Sequence, residues 1–424
     1  MHNLRLLDLR LPADLRQAIA AIESYPERVA AVAVKSTWLT VHAAALPFAA
    51  AILLKQELLS LDADCVISPS VYLGDRVAHT DALIFGSIRQ LRQLAERLRP
   101  FPLDDLRALS EALHRLLDTL AASSRGSLAV RGRTFVWGER TLVMGILNAT
   151  PDSFSGDGLL GEAEQAEGCA LAVAQAQTFV AAGADFLDIG GESTRPGALP
   201  VAADAEQARI VPVIVGVRAV LDVPISVDTW KAPVAAAALD AGADLVNDVW
   251  GLRLPDGGWN DDLARLVAER GVPLVVMHNR RGRVAAAGEH YDETTYTDVM
   301  GELLADLQAS VAFAHQHGIR REQLIIDPGI GFGKTPTQNL VVLRRLRELT
   351  TLGLPILLGT SRKSFIGLAL GLPPHERMEG TAATVALGIE RGADIVRVHD
   401  VAPLVRVARM TDAVLRVTND FSAS

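Results

Sequence analysis

The sequence predicts a (β/α)8 barrel preceded by a small α+β domain and a β-hairpin. Three observations lead to this fold class. The pattern before residue 125 mixes amphipathic helices with short strands, whereas eight apolar runs alternate with helical patterns after residue 143. A small polar stretch at 123–127 separates the two patterns. Each apolar run also ends in a polar residue or a glycine. We therefore predict an N-terminal domain of unknown function at 1–125 and a barrel at 126–424.

The composition is that of an ordinary globular protein, with 49% hydrophobic and 21% charged residues among 424. A net charge of −9 without a basic run argues against nucleic acid or an anionic membrane as a partner. Cys65 and Cys169 are too few for a disulfide framework or a thiolate metal site. Because the first residues also lack the apolar core of a secretory signal, we expect a cytoplasmic protein.

The N-terminal 125 residues carry amphipathic patterns that predict helices at 49–61, 87–98 and 103–120. Strand-like pieces occur at 29–34 and 82–85. The uncharged stretch between Lys35 and Lys55 contains Pro47, which favours a buried helix from about that residue over a membrane span. Scattered histidines give this domain no recognisable site.

The barrel region opens with two short strands around Arg131-Gly132-Arg133, which predict a β-hairpin. Short apolar runs then predict strands that are buried on both faces. Asp188 and Arg397 interrupt two of these runs and weaken both predictions. An open doubly wound sheet is the alternative architecture. The runs are 143–147, 186–189, 224–227, 245–246, 273–277, 324–326, 355–358 and 395–398.

Polar and glycine residues at the ends of the runs favour the barrel. A single aspartate in such a place is more often a helix cap than a catalytic group. In a barrel, however, all eight ends meet at one mouth, so their side chains can form one site. The residues are Asn148, Gly190, Gly191, Asp228, Asn247, Asp248, His278, Asp327, Gly359 and His399.

Long motifs after residue 143 closely resemble the dihydropteroate synthase family, in the family's order and over about residues 143–414. The resemblance implies a TIM barrel, a homodimer, Mg²⁺, and the joining of 6-hydroxymethyl-7,8-dihydropterin diphosphate to p-aminobenzoate with release of diphosphate. The motifs begin with Asn148-Ala149-Thr150-Pro151-Asp152-Ser153-Phe154, Gly190-Gly191-Glu192-Ser193-Thr194-Arg195-Pro196, Asp228-Thr229 and Asn247-Asp248, and continue with Met277-His278, Asp327-Pro328-Gly329-Ile330-Gly331-Phe332-Gly333-Lys334, Ser361-Arg362-Lys363-Ser364 and Arg397-Val398-His399-Asp400.

A pterin presents a guanine-like edge, on which an exocyclic amine and a ring N–H lie beside a carbonyl. A buried carboxylate can accept two parallel hydrogen bonds from that edge, and Asp327 is the residue we place there. Asn247 and Asp228 complete the pocket, because the remaining ring nitrogens need both donors and acceptors. Asp228 could instead cap a helix.

Lys363 can donate to a pterin ring nitrogen and the carbonyl, and the planar guanidinium of Arg397 can lie against the ring face. The alternative for Arg397 is a salt bridge to Asp400. Met277 and Phe332 would supply apolar walls, although a methionine at a strand end is often only core.

The diphosphate needs positive charge and donors, and the resemblance implies Asn148, Arg195, Arg397 and His399. Asn148 is also a neutral oxygen ligand for Mg²⁺, which takes few protein oxygens when phosphates are present. The glycine-rich stretch 329–333 matches neither a P-loop nor a dinucleotide fingerprint, so we assign it no nucleotide role.

The attacking group is the aniline nitrogen of p-aminobenzoate, so no protein nucleophile is required. Asp152 could stabilise a pterin cation or take the amine's proton. The resemblance places p-aminobenzoate at Phe154, Thr194, Pro196 and Ser364. The predicted catalytic residues are Asp152, Arg195, Lys363, Arg397 and His399.

Two other functions compete with this prediction. A pterin-dependent methyltransferase would share the barrel and an Asp/Asn pocket, but a methyl donor has no diphosphate for Arg195 to hold. A non-enzymatic pterin-binding or scaffold protein would be favoured by loss of Lys363 or Arg397, and both are present. Trp230 departs from the family, which commonly has a smaller residue there.

Overall fold

The computed structural model describes residues 12–22, 25–72, 79–121, 126–149, 162–192, 200–280 and 296–417. These residues fall into two compact units, and the chain passes from one to the other at residues 122–123. This division lies at the start of the polar stretch 123–127.

The N-terminal unit is a small α+β structure, as predicted. Three antiparallel strands form a sheet in the order β1-β3-β2. One face of the sheet packs on helices through Ala43, Cys65 and Ile84, which join the buried helical leucines in a single core. The elements are α1 Pro12–Ala20, α2 Pro26–Ser36, β1 Trp38–Pro47, α3 Phe48–Leu59, β2 Asp64–Ile67, α4 Pro69–Tyr72, β3 His79–Ser87, α5 Ile88–Leu98 and α6 Asp104–Ala121.

The predicted strand at 29–34 is wrong, because these residues lie inside helix α2. Pro26 occupies the first helical turn, where its fixed φ and missing N–H favour a helix, and the alanines that follow are strong helix formers. The first strand lies further on and pairs with β3 from Trp38↔Ser87 to Pro47↔His79. The predicted helix from about Pro47 is confirmed as α3.

The second unit is a (β/α)8 barrel with a β-hairpin before it, as predicted. The hairpin pairs β4 Ser127–Val130 with β5 Arg133–Val136. All eight predicted strands are present, including the two that Asp188 and Arg397 interrupt. They are β6 Leu142–Asn148, β7 Phe186–Gly190, β8 Ile225–Asp228, β9 Leu245–Asp248, β10 Leu274–Met277, β11 Leu324–Asp327, β12 Leu357–Leu358 and β13 Ile395–Val398.

The eight strands are parallel and form one sheet in the order β11-β10-β9-β8-β7-β6-β13-β12. A parallel bridge between Ile326 and Ile356 joins the two ends of this sheet and closes it. An open doubly wound sheet is therefore excluded. The helices after the strands are α7 Glu162–Ala181, α8 Ala203–Val220, α9 Ala232–Asp240, α10 Asp261–Arg270, α11 Val299–Gln316, α12 Pro336–Arg344, α13 Ser364–Leu370, α14 Met378–Glu390 and α15 Val401–Arg416.

None of the described helices in either unit is long and apolar enough to cross a lipid bilayer.

The interior of the barrel is layered because side chains on a strand alternate between its two faces. One layer is apolar, and Leu128, Val130 and Trp137 of the hairpin region pack against it. On several strands, the inward-facing residue two positions further along is polar or is a glycine. The apolar layer consists of Leu142, Met144, Phe186, Leu245, Val275, Ile325, Leu357 and Ile395. The positions two residues on include Asp188, Asn247, Met277, Asp327, Gly359 and Arg397.

The start of β6 is held by the last helix. Asp412 on α15 accepts hydrogen bonds from the backbone N–H of Thr141 at 2.7 Å and from its hydroxyl at 2.9 Å. Both residues are buried. The contact therefore ties the first and last elements of the barrel together.

We predict that Asp412→Ala lowers the free energy of unfolding by about 1–3 kcal/mol, because it leaves two buried donors without an acceptor. Urea denaturation measures this change. The control is Met410→Ala on the same helix, where the side chain is 64% exposed, and we expect a change within about 0.5 kcal/mol. Equal losses in the two variants would show that the contact with Thr141 adds no measurable free energy of unfolding.

Candidate active site

The centre of the barrel mouth is a charge cluster formed by strands β7, β8 and β13. Arg397 donates from Nε to Asp188 Oδ2 at 2.5 Å and from Nη2 to Asp228 Oδ2 at 2.6 Å. The Asp188 side chain is 0% exposed, whereas those of Asp228 and Arg397 retain 11% and 20%. The alternative partner of Arg397, Asp400, pairs instead with Arg362. The cluster thus presents one partly exposed guanidinium between two carboxylates.

This cluster changes the acid–base properties of its members. Burial raises the pKa of Asp228 to about 7, and the neighbouring Asp188 carboxylate adds to the rise, while Arg397 opposes it. Burial by itself would lower the pKa of Arg397, but the two carboxylates raise it above its ordinary value. Arg397 therefore stays charged inside the barrel.

Asn247 and Asp248 are consecutive residues of β9 that form hydrogen bonds with different parts of the barrel. Asn247 faces the barrel interior and donates from Nδ2 to Asp188 Oδ2 at 3.1 Å. Asp248 accepts backbone N–H bonds from Trp250 and Leu252 at 2.8 and 2.5 Å. Asp248 therefore shapes the loop after β9, and Asn247 belongs to the charge cluster.

Asp327, the predicted pterin carboxylate, ends β11 and is buried. Its Oδ1 accepts a hydrogen bond from the backbone N–H of Gly329 at 2.7 Å, which fixes the carboxylate plane. Burial raises the pKa of Asp327, and the nearby Lys363 opposes that effect. Gly329 has φ +63°, and a Cβ there would lie 1.9 Å from the carbonyl oxygen of His278. The turn after Asp327 therefore requires glycine.

The loop that follows Asp327 is anchored by a buried lysine. Lys334 Nζ lies 3.0 Å from Gly329 O, 3.2 Å from Phe332 O and 2.8 Å from His278 Nδ1. Burial lowers the pKa of His278 to about 3, so its imidazole is neutral and Nδ1 is the acceptor. The opposite nitrogen, Nε2, lies 3.3 Å from Asp306. The glycine-rich stretch is thus a fixed wall of the mouth.

Lys363 reaches from the loop after β12 to the neighbouring loop after β11. Its Nζ lies 4.8 Å from the centre of the Phe332 ring and donates to the carbonyl of Ile330. Phe332 and Met277 pack with Val249, and Trp230 lies against the same cluster. The predicted apolar walls therefore contact each other, and Trp230 enlarges them. Trp250 packs there as well.

The remaining predicted residues that the structure describes lie at the rim. His399 donates its backbone N–H to Ser361 Oγ and places Nδ1 3.1 Å from the same oxygen. Ser364 is exposed at the start of α13, next to Lys363. Asn148 ends β6 opposite Gly190 and is partly exposed. All three residues therefore follow or end strands at the carboxyl end of the barrel, where the mouth lies.

Five predicted residues lie outside the described part of the chain, namely Asp152, Phe154, Thr194, Arg195 and Pro196. Their roles stay predictions. Among the described residues, sequence reasoning treated Asp188 only as an interruption of a strand and gave Lys334 no individual role. The position of Asp188, two residues after the buried Phe186, could have indicated that it faces inward.

Comparisons with known proteins agree with this geometry. A family model described as pterin binding enzyme matches residues 144–399. Dihydropteroate synthase of Bacillus subtilis is 48% identical over 277 residues, which cover 65% of this chain and 90% of that protein. The solved structure of Xanthomonas albilineans dihydropteroate synthase with 4-aminobenzoic acid is 40% identical, with a TM-score of 0.61, and the match covers 70% of this chain and 100% of that one.

One further relative extends the similarity beyond the barrel. The probable bifunctional folylpolyglutamate synthase/dihydropteroate synthase of Haloferax volcanii is 41% identical over 356 residues, covering 82% of this chain and 40% of that protein. Residues 126–424 alone cannot supply that share, so the match includes part of the N-terminal 125 residues. Together, the family model, the identities and the coverage of whole relatives lead to one conclusion. The chain belongs to the dihydropteroate synthase family of pterin-binding enzymes.

Proposed function

We propose that this protein joins 6-hydroxymethyl-7,8-dihydropterin diphosphate to p-aminobenzoate, giving 7,8-dihydropteroate and diphosphate. This proposal rests mainly on the 48% identity to the Bacillus subtilis dihydropteroate synthase, which extends over 90% of that enzyme. The geometry agrees, because the predicted pterin residues that end strands β8, β9, β11 and β13 meet at one mouth. A pterin-dependent methyltransferase, the alternative considered above, is therefore not the function.

The pterin ring occupies the space between Asp327 and the apolar wall in this proposal. The two oxygens of Asp327 face the amine and the ring N–H of the guanine-like edge, since the bond that Oδ1 accepts from Gly329 leaves a second lone pair on that oxygen. Asn247 and Lys363 offer further polar atoms to the ring, and Met277 and Phe332 contact its face. This set of one buried carboxylate, one amide and one ammonium matches the donor and acceptor pattern of a pterin.

The diphosphate lies at the open end of the mouth, near Arg397, His399 and Asn148. Arg397 is charged and keeps a fifth of its side chain exposed, so it can donate to phosphate oxygens. Asn148 fits a magnesium ligand, because its side chain is partly exposed at the end of β6 and carries a neutral oxygen. Mg²⁺ bound there with the diphosphate would neutralise charge on the leaving group.

The reaction breaks the carbon–oxygen bond to the diphosphate and forms a bond from that carbon to the aniline nitrogen. The electron pair of the broken bond leaves with the diphosphate, and the nitrogen loses one proton. Arg397 and His399 stabilise the leaving charge, with Arg195 as a predicted third donor. Asp152 is the predicted acceptor of the proton. Phe154, Thr194, Pro196 and Ser364 are the predicted p-aminobenzoate contacts and position its amine.

We also propose a cytoplasmic homodimer whose N-terminal domain does not take part in the chemistry. Both cysteines are free thiols, which suits a reducing compartment. The homodimer is what the resemblance of residues 143–414 to the family implies. All described residues assigned to the reaction follow residue 143, and the Bacillus subtilis relative aligns with about two-thirds of the chain.

The function is tested by mixing the purified chain with the pterin diphosphate, p-aminobenzoate and Mg²⁺ and following diphosphate release. We expect release only when both organic substrates are present, and formation of dihydropteroate in equal amount. Diphosphate release that does not depend on p-aminobenzoate would indicate a hydrolase. Absence of any release would contradict the proposal.

We predict that Asp327→Asn weakens pterin binding by at least about 1–3 kcal/mol, which is about 5- to 150-fold in Kd. The amide places a donor opposite a pterin donor, because the oxygen is needed by the N–H of Gly329. Calorimetry with 6-hydroxymethylpterin measures the change. The matched control is Asp222→Asn, on an exposed loop bound to Arg131, which should leave the affinity unchanged. An unchanged affinity in Asp327→Asn would remove Asp327 from the pterin site.

A further inference from the structure

Asp188 lies in the same layer of the barrel interior as Asn247 and Arg397, and it contacts both of these proposed pterin-site residues with a single oxygen. Its Oδ2 accepts from Arg397 Nε at 2.5 Å and from Asn247 Nδ2 at 3.1 Å. The other oxygen, Oδ1, is buried and has no hydrogen-bond partner among the described residues. One carboxylate on β7 therefore joins a residue of β9 to a residue of β13.

The contact with Asp188 fixes the orientation of the Asn247 amide. An oxygen that already accepts from Arg397 can only accept from Asn247 as well, so Nδ2 must face Asp188. If the amide rotated by half a turn, two oxygens would face each other inside the barrel. Asn247 is 4% exposed, so water could not relieve that repulsion. The Asn247 oxygen is thereby directed away from Asp188.

The same carboxylate also limits the guanidinium of Arg397. Its Nε is bound to Asp188 and its Nη2 to Asp228, so two separate strands define the plane of the group. Without Asp188 the guanidinium would keep one ion pair and could pivot about it. The orientation of the donors that Arg397 directs to the mouth therefore depends on Asp188.

We propose that Asp188 is a positioning residue for pterin binding, which acts by orienting the Asn247 amide and the Arg397 guanidinium through its Oδ2. This inference rests on the proposed function, since it assumes that the ligand is a pterin. Asp188 itself does not contact the substrate in this account. Its effect should therefore appear in the pterin KM and Kd and not in those of p-aminobenzoate.

The test compares Asp188→Ala with Asp188→Asn. Alanine removes the shared acceptor, so we expect the Kd for 6-hydroxymethylpterin and the KM for the pterin diphosphate to rise about tenfold or more. The asparagine oxygen can still accept from both partners, and its NH2 group takes the place of Oδ1, to which no group in the described part of the chain donates. We therefore expect Asp188→Asn to stay within about threefold of the native Kd. The KM for p-aminobenzoate should stay nearly constant in both variants.

A double-mutant cycle separates positioning from a general loss of stability. If Asp188 acts through Asn247, Asp188→Ala should raise the pterin Kd at least threefold less in an Asn247→Ala background than in the native chain. The control is Asp394→Asn, a buried aspartate at the other end of β13 that accepts from Ile356 N. We expect it to lower the thermal midpoint and leave both KM values unchanged.

Several outcomes would overturn the proposal. A pterin Kd in Asp188→Asn as weak as in Asp188→Ala would show that the carboxylate acts by its charge. Full additivity in the cycle, or a parallel rise of both KM values, would indicate a structural role only. If Asp188→Ala does not fold, the asparagine variant still decides between positioning and charge. Failure of the native chain to bind 6-hydroxymethylpterin would instead refute the proposed function itself.

Discussion

The guanidinium of Arg397 lies inside a closed ring of strands, between the fully buried carboxylate of Asp188 and that of Asp228, which keeps 11% of its side chain exposed. The proposed site depends on this arrangement. A lone charge in such a place would be costly, because burial removes the water that stabilises it. Asp188 and Asp228 supply the compensating charges at 2.5 and 2.6 Å. The three strands that carry these residues must therefore stay in register for the cluster to form. The geometry of the site therefore depends on the same strand register that forms the barrel.

The alternation of side chains along parallel strands explains how an apolar core and a polar site occupy the same barrel. Residues such as Phe186 and Ile395 fill the layer against which the hairpin packs. Two residues later, Asp188 and Arg397 face the same interior one layer nearer the mouth. The carboxyl ends of the strands then add the loops that contain Lys363 and His399. The site is thus a direct continuation of the core packing.

Sequence reasoning identified the eight barrel strands because strands buried on both faces form short apolar runs. The strand predictions were weaker at Asp188 and Arg397, because each charged residue interrupts an apolar run. The sequence pattern does not show that these two residues, on strands far apart in the chain, form an ion pair with each other. It was wrong at 29–34, where valines indicated a strand but Pro26 and neighbouring alanines start a helix. It placed Asp228 and Asn247 in one pocket with Asp327, but it did not predict that Arg397 and Asp188 join the two residues. Long-range pairing of this kind depends on the closed barrel and cannot be read from local spacing.

The most direct measurement of the central claim is the free energy of unfolding of Arg397→Met and the native chain at pH 5 and pH 8. In the native chain burial already raises the pKa of Asp228 to about 7 although Arg397 opposes the rise, so removing the cation should raise that pKa further. The protonated form of Asp228 is tolerated at low pH, and stability is lost as the pH rises through the raised value. We expect a loss of about 3–5 kcal/mol relative to the native chain at pH 8 and a clearly smaller loss at pH 5. An equal loss at both pH values would contradict the claim that Arg397 compensates buried negative charge.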